Sequence, residues 1–151
     1  MTDDERHAQQ HYDDLMKQVF GPALRAAGFR GSAGRFERGS EKYWVQLGFQ
    51  KSVYNDPDEV EFTINVAVTE REPWAAKAAS SPGFPSKPSP NTAFPLTTSA
   101  RIGKLLPEGR DVWWVLRSND DVTAVAEEVL ASISYYAIPW LDEKSRLPNG
   151  S

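Results

Sequence analysis

The feature that most constrains this chain is a period-two hydrophobic pattern in two neighbouring segments. From Tyr43 to Ser52, Val45, Leu47 and Phe49 alternate with Trp44, Gln46, Gly48, Gln50 and Ser52. From Val60 to Thr69, Val60, Phe62, Ile64, Val66 and Val68 alternate with Glu61, Thr63, Asn65 and Ala67. Successive strand residues point to opposite faces, so each segment reads as a strand with one apolar and one polar face. The turn cluster Asn55-Asp56-Pro57-Asp58 joins the two. A shorter strand at Arg35–Arg38 precedes them through Gly39-Ser40-Glu41. Short turns between successive strands predict an antiparallel meander.

The flanking segments change to helical spacing. Tyr12, Leu15, Met16, Val19, Phe20, Leu24 and Ala27 fall on one helix face, with Asp3 and Asp4 as candidate caps. Pro22 cannot donate to the preceding turn, so a kink is expected at Gly21-Pro22, and Gly28 suits the helix end. Pro73 to Ala79 reads as one or two helical turns. Ser118 and Asp121 resemble a capping box for a helix whose stripe runs from Val122 to Ala137 and which Pro139 ends. Trp140 and Leu141 are expected to return to the core, followed by a polar tail, 142–151.

Between these helical segments, Ser81 to Ser99 carries five prolines, which excludes a helix or a central strand. A loop over about 80–99 is expected, and loops of this length are often functional. Arg101–Leu106 and Asp111–Leu116 predict a second hairpin. The fold expected is a single α+β domain over 1–151. It has an antiparallel sheet of about five strands, with N- and C-terminal amphipathic helices packed on its apolar face.

Composition narrows the function classes. With no cysteine, disulfides, thiolate metal sites and a cysteine nucleophile are excluded, and a cytoplasmic setting is the natural expectation. No apolar run approaches the ~20 residues of a membrane helix. The polar Met1–Gln10 segment does not read as a signal peptide. The net charge is −4 and the basic residues are dispersed, so nucleic acid is not an expected partner.

Catalytic and metal signatures are not found. His7 and His11 lie one helical turn apart, without the intervening Glu of a zincin, and read as helix surface. No Ser sits in a Gly-x-Ser-x-Gly turn. Gly28 to Gly34 is glycine-rich but follows a helix, the reverse of a phosphate loop, and reads as a flexible connection. Asp56, Asp58, Glu59 and Glu61 lack the order of a calcium loop and read as a solvated turn. No cofactor is expected.

The polar sheet face is the site expected. Gln46, Gln50 and Ser52 lie beside Thr63 and Asn65, a set that hydrogen-bonds but scarcely titrates, which suits recognition better than acid–base chemistry. Of the adjacent Trp113 and Trp114, one should enter the core and the other face outward, under the Pro-rich loop or as an interaction anchor. Pro82-x-x-Pro85-x-x-Pro88 has polyproline spacing, though a loop draped over the sheet is the plainer reading.

Several of these residues together resemble a known family. Gly21-Pro22-x-Leu24-x-x-x-Gly28-Phe29, Gln50-Lys51-Ser52, Phe62-Thr63-x-Asn65, Ile102-Gly103 and Trp113-Trp114 resemble the bacterial domain-of-unknown-function family numbered 4304, over about Tyr12 to Leu141. The resemblance implies a bacterial, intracellular, stand-alone domain and no catalytic residues.

Two functions follow as expectations. The first is a non-enzymatic protein-recognition module of immunity or adaptor type, acting through the polar face, whose acidic balance would suit a basic partner such as a toxin nuclease. The second is a small-ligand-binding domain or small enzyme with its site between that face and the Pro-rich loop, where Arg101, Gln50 and Asn65 would orient the ligand. An outward Trp could also mark a homodimer patch.

Overall fold

The computed structural model describes residues 7–92 and 94–146. Asp3, Asp4 and the last residues of the polar tail lie outside them. The elements in order are helix α1 (Ala8–Leu15), a π-helical turn (Met16–Phe20), α2 (Gly21–Ala26), strands β1 (Phe29–Ser32), β2 (Arg35–Arg38), β3 (Tyr43–Lys51) and β4 (Glu59–Glu70), and helix α3 (Arg71–Ser80). Then come β5 (Thr97–Arg101), a 3-10 turn (Ile102–Lys104), β6 (Trp114–Arg117), α4 (Thr123–Ser132), a second π-helical turn (Ile133–Ala137) and α5 (Ile138–Lys144). The fold is α+β, on an open antiparallel sheet ordered β1-β2-β3-β4-β5, with β6 also paired to β4.

The two alternating segments form the centre of the sheet. Register pairs Val45 with Val68, Leu47 with Val66 and Phe49 with Ile64, so the apolar residues of both strands share one face. Helical side chains meet that face: Tyr12 lies edge-on to Phe62 at 5.4 Å and Phe20 stacks on Phe49 at 5.3 Å. Leu24, Val129, Ile133 and Leu141 complete the same buried cluster.

Both helical regions carry a proline that does not end them. Gly21 N–H bonds to Met16 O and Ile138 N–H bonds to Ile133 O, five residues back in each case. The widened turn absorbs the missing donor and ring volume of Pro22 and Pro139, so the helix continues past each. Pro139 therefore does not terminate the C-terminal helix. Leu141 reaches the core on a continuous helix, and Asp142 to Lys144 are helical.

Three further expectations are corrected. The glycine-rich stretch after Gly28 holds strand β1, joined to β2 by Ala33 and Gly34, both with positive φ (54° and 82°), as a two-residue hairpin turn demands. The expected hairpin of Arg101–Leu106 with Asp111–Leu116 does not form. Instead β5 and β6 lie end to end along the same edge of β4, Arg101 opposite Asn65 and Trp114 opposite Phe62, with 102–113 looping out between. Finally, α4 begins at Thr123, whose N–H bonds to Asp121 Oδ1, while Ser118 Oγ bonds to the Asp58 carboxylate, so Ser118 is no cap.

Candidate functional site

The polar face of the sheet is roofed by the Pro-rich loop. The loop has its own anchor, apart from the main core. Trp74 of α3 is buried between Phe84 (4.6 Å) and Phe94 (5.0 Å), and its Nε1 donates to Pro85 O at 3.0 Å. From that anchor the chain crosses the sheet. Gln46 Nε2 donates to Pro88 O at 2.9 Å, and Lys87 forms an ion pair with Glu37 of β2. Lys87 and Arg71 both sit over the Trp44 ring, the Arg71 guanidinium at 3.8 Å. Gly48 lies directly beneath: a Cβ there would stand 2.4 Å from Asn91 Oδ1 and 2.7 Å from Pro90 Cγ. Only a glycine lets the loop come this close.

Asn91 is tied into a network that crosses three strands. Asn65 Nδ2 donates to Gln50 Oε1 (2.7 Å) and to Asn91 Oδ1 (3.0 Å), and Asn91 Nδ2 donates to Phe49 O (3.2 Å). Arg101 Nε reaches Asn65 Oδ1 at 3.4 Å. Its Nη1 pairs with Asp111 Oδ2 at 3.0 Å, the oxygen that also accepts from Trp113 Nε1. The Arg101 guanidinium lies 5.2 Å from the centre of the Trp113 ring. At the edge of this network an open depression of about 460 Å³ is lined by Gln50, Asn65, Asn91, Arg101, Lys104 and their loop neighbours.

The residues expected from the sequence divide clearly. Gln50, Asn65 and Arg101 meet at the depression, and Trp113 stands beside it. Gln46 and Thr63 are 3% and 0% exposed, and their side chains are engaged internally, Thr63 Oγ1 donating to Val112 O at 2.7 Å. That bond ties the 102–113 excursion to the part of β4 that β5 and β6 leave uncovered. Ser52 Oγ accepts from Tyr54 N within the β3–β4 turn, away from the depression. Trp114 is the inward tryptophan, 5.7 Å from Phe62. Asn91, Lys104 and Asp111 join Gln50, Asn65 and Arg101 without any signal in the sequence pattern. Each sits in a loop or irregular turn, where no period marks which way a side chain points.

Among the described residues no group of three His, Asp or Glu side chains is placed to hold a metal ion. His7 Nδ1 is 3.8 Å from Asp58 at the surface, not part of a ligand set with His11. Among the described residues no helix is long and apolar enough to cross a membrane.

Residues 20–143 match the family described as Domain of unknown function (DUF4304). The chain belongs to the DUF4304 family. The matched DUF4304 segment takes in the whole sheet, the Pro-rich loop and every residue of the network, and leaves all of α1 and most of the following π turn outside. No curated protein and no solved structure matches the chain.

Proposed function

We propose that this DUF4304 domain is a non-enzymatic, cytoplasmic binding domain whose ligand is a small polar anion held at the mouth of the Pro-rich loop. The convergence of Gln50, Asn65, Asn91, Arg101 and Lys104 on one depression carries this reading. Lys104, together with the guanidinium hydrogens of Arg101 that Asp111 leaves free, supplies donors and positive charge for a carboxylate or phosphate, and Gln50 Nε2 supplies a donor for the rest of the molecule. The hydrogen bonds among Gln50, Asn65, Asn91 and Arg101 fix these side chains before any ligand arrives, which lowers the ordering cost of binding. Amide, guanidinium and ammonium groups suit recognition, whereas general acid–base catalysis needs a group that exchanges protons near pH 7.

The test is a thermal-shift titration with dicarboxylates, sugar phosphates and nucleoside monophosphates, repeated on Arg101→Gln and Lys104→Gln. Saturable stabilisation by one class, lost in both variants, is expected. No stabilisation across the three classes would contradict the proposal.

Recognition of a protein partner, of immunity or adaptor type, is the second reading. The burial of Gln46, Thr63 and Asn65 moves it off the polar face and onto the β3–β4 turn, where Val53 and Tyr54 are 88% and 90% exposed. A stoichiometric partner retained by the native chain and lost from Tyr54→Ser would decide for it.

A further inference from the structure

A second depression, of about 520 Å³, opens on the other side of Asn91, between the N-terminal helical segment and the tip of the β1–β2 hairpin. Its chemistry differs from that of the loop site. Tyr12, Met16, Phe36 and Phe49 give it an apolar lining. Among the described residues four cations, Lys17, Arg25, Arg35 and Lys51, stand around them against the single carboxylate of Asp13. A formal excess of three positive charges is thus gathered in one groove of a chain whose net charge is −4.

Two of these cations are already positioned. Arg25 Nη2 donates to Gly31 O at 3.0 Å. Lys51 Nζ donates to Gln9 Oε1 at 3.3 Å and lies 5.2 Å from the centre of the Tyr12 ring. Lys17 and Arg35 make no ion pair among the described residues. Like charges repel unless something negative lies between them, and an apolar lining flanked by cations that form no ion pair among the described residues matches a molecule with an anionic head and an apolar body. The volume is that of an ordinary small-molecule site.

We infer that this groove binds a free, small amphiphilic anion, its carboxylate or phosphate held by Lys17 and Arg35 and its apolar body lying on Met16, Phe36 and Phe49. This site is distinct from the one at the loop mouth. It uses α1 and the following π turn, most of which the family match leaves out.

The experiment is a titration of the full 15N-labelled chain with decanoate and with decyl phosphate, both below their micellar concentrations. Decanol and acetate serve as the uncharged and headgroup-only controls. Saturable shifts centred on Met16, Phe36 and Phe49 are expected with one or both amphiphilic anions, and not with either control. Lys17→Ala and Arg35→Ala should each weaken binding roughly fivefold, the scale of one exposed charge contact. Arg117→Ala, on the far side of the sheet, should not. Decanol binding as well as decanoate, shifts that do not saturate, or full affinity in a Lys17→Ala/Arg35→Ala double variant would each overturn the inference. Lys17 and Arg35 are exposed, so the variants should fold, and a native dispersion of resonances verifies this.

Discussion

Asn91 is seated directly on Gly48, so close that a single methyl group on the glycine would stand 2.4 Å from Asn91 Oδ1. This contact converts a polar sheet face into a floor. The loop above it buries Gln46 and Asn65 and leaves the depression lined by Gln50, Arg101 and Lys104 open at its edge.

Gly48→Ala should therefore act as a wedge. Overpacking of this kind costs about 1–3 kcal/mol. Urea denaturation should show that loss, and the anion binding proposed for the loop-mouth depression should weaken as its Asn91 wall is displaced. Gly39→Ala, where an added Cβ would meet nothing within 4 Å, should show no comparable effect on the site.

Asn65 is the hub of the network. Its replacement by Ala leaves Gln50 Oε1 and Asn91 Oδ1 without their donor and should cost about 1–3 kcal/mol. Asn91→Ala should cost less when made in the Asn65→Ala background than alone. A double-mutant cycle should give a coupling of about 0.5 kcal/mol or more, since the two side chains share one bond. Simple additivity would show that the network is not formed.

Trp74 anchors the loop from outside the main core. Trp74→Ala should cost about 3–5 kcal/mol and release the loop. Trp74→Phe keeps the contacts with Phe84 and Phe94 but strands Pro85 O, which should cost about 1 kcal/mol. Chemical denaturation of the two variants separates packing from hydrogen bonding.

Tyr12 makes stability depend on pH in the alkaline range. Burial, with a smaller contribution from Asp13, raises its hydroxyl from 10.0 to about 12. The folded state thus holds this proton more tightly than the unfolded chain. The contribution is complete below pH 10 and is lost as pH rises through about 12. Stability should fall by about 2–3 kcal/mol over that interval, and Tyr12→Phe should flatten the fall. An unchanged alkaline slope in Tyr12→Phe would contradict the burial of this hydroxyl.

What could be read from the sequence follows from periodicity. β3 and β4 carry long alternating runs, and their bounds lie within a residue or so of those expected. β1 was hidden because only Phe29 of its four residues is buried, leaving no period to detect. β5, Thr-Thr-Ser-Ala-Arg, sits next to the prolines and lacks an apolar face of its own. Its pairing depends on β4, as does the break that sends 102–113 out of the sheet. Pro139 looked like a stop because a regular α-helix cannot hold it, whereas a π turn can.

The site shows the same division. Alternation identified which side chains share the polar face, and Gln50, Asn65 and Arg101 do meet. Alternation reports polarity, not exposure, so it could not show that Gln46 and Thr63 would be covered. Asn91 and Asp111, which complete the network, come from irregular segments, and only the folded chain brings them to Asn65 and Arg101.

The most direct test of this account is a nuclear Overhauser spectrum of the full chain that reads the distance between Gly48 and the loop. Strong cross-peaks from the Gly48 α-protons to the Pro90 ring and to the Asn91 side-chain amide are predicted. Their absence, with Gln46 and Asn65 side-chain amide protons exchanging as fast as those of exposed residues, would show an open sheet face and contradict it.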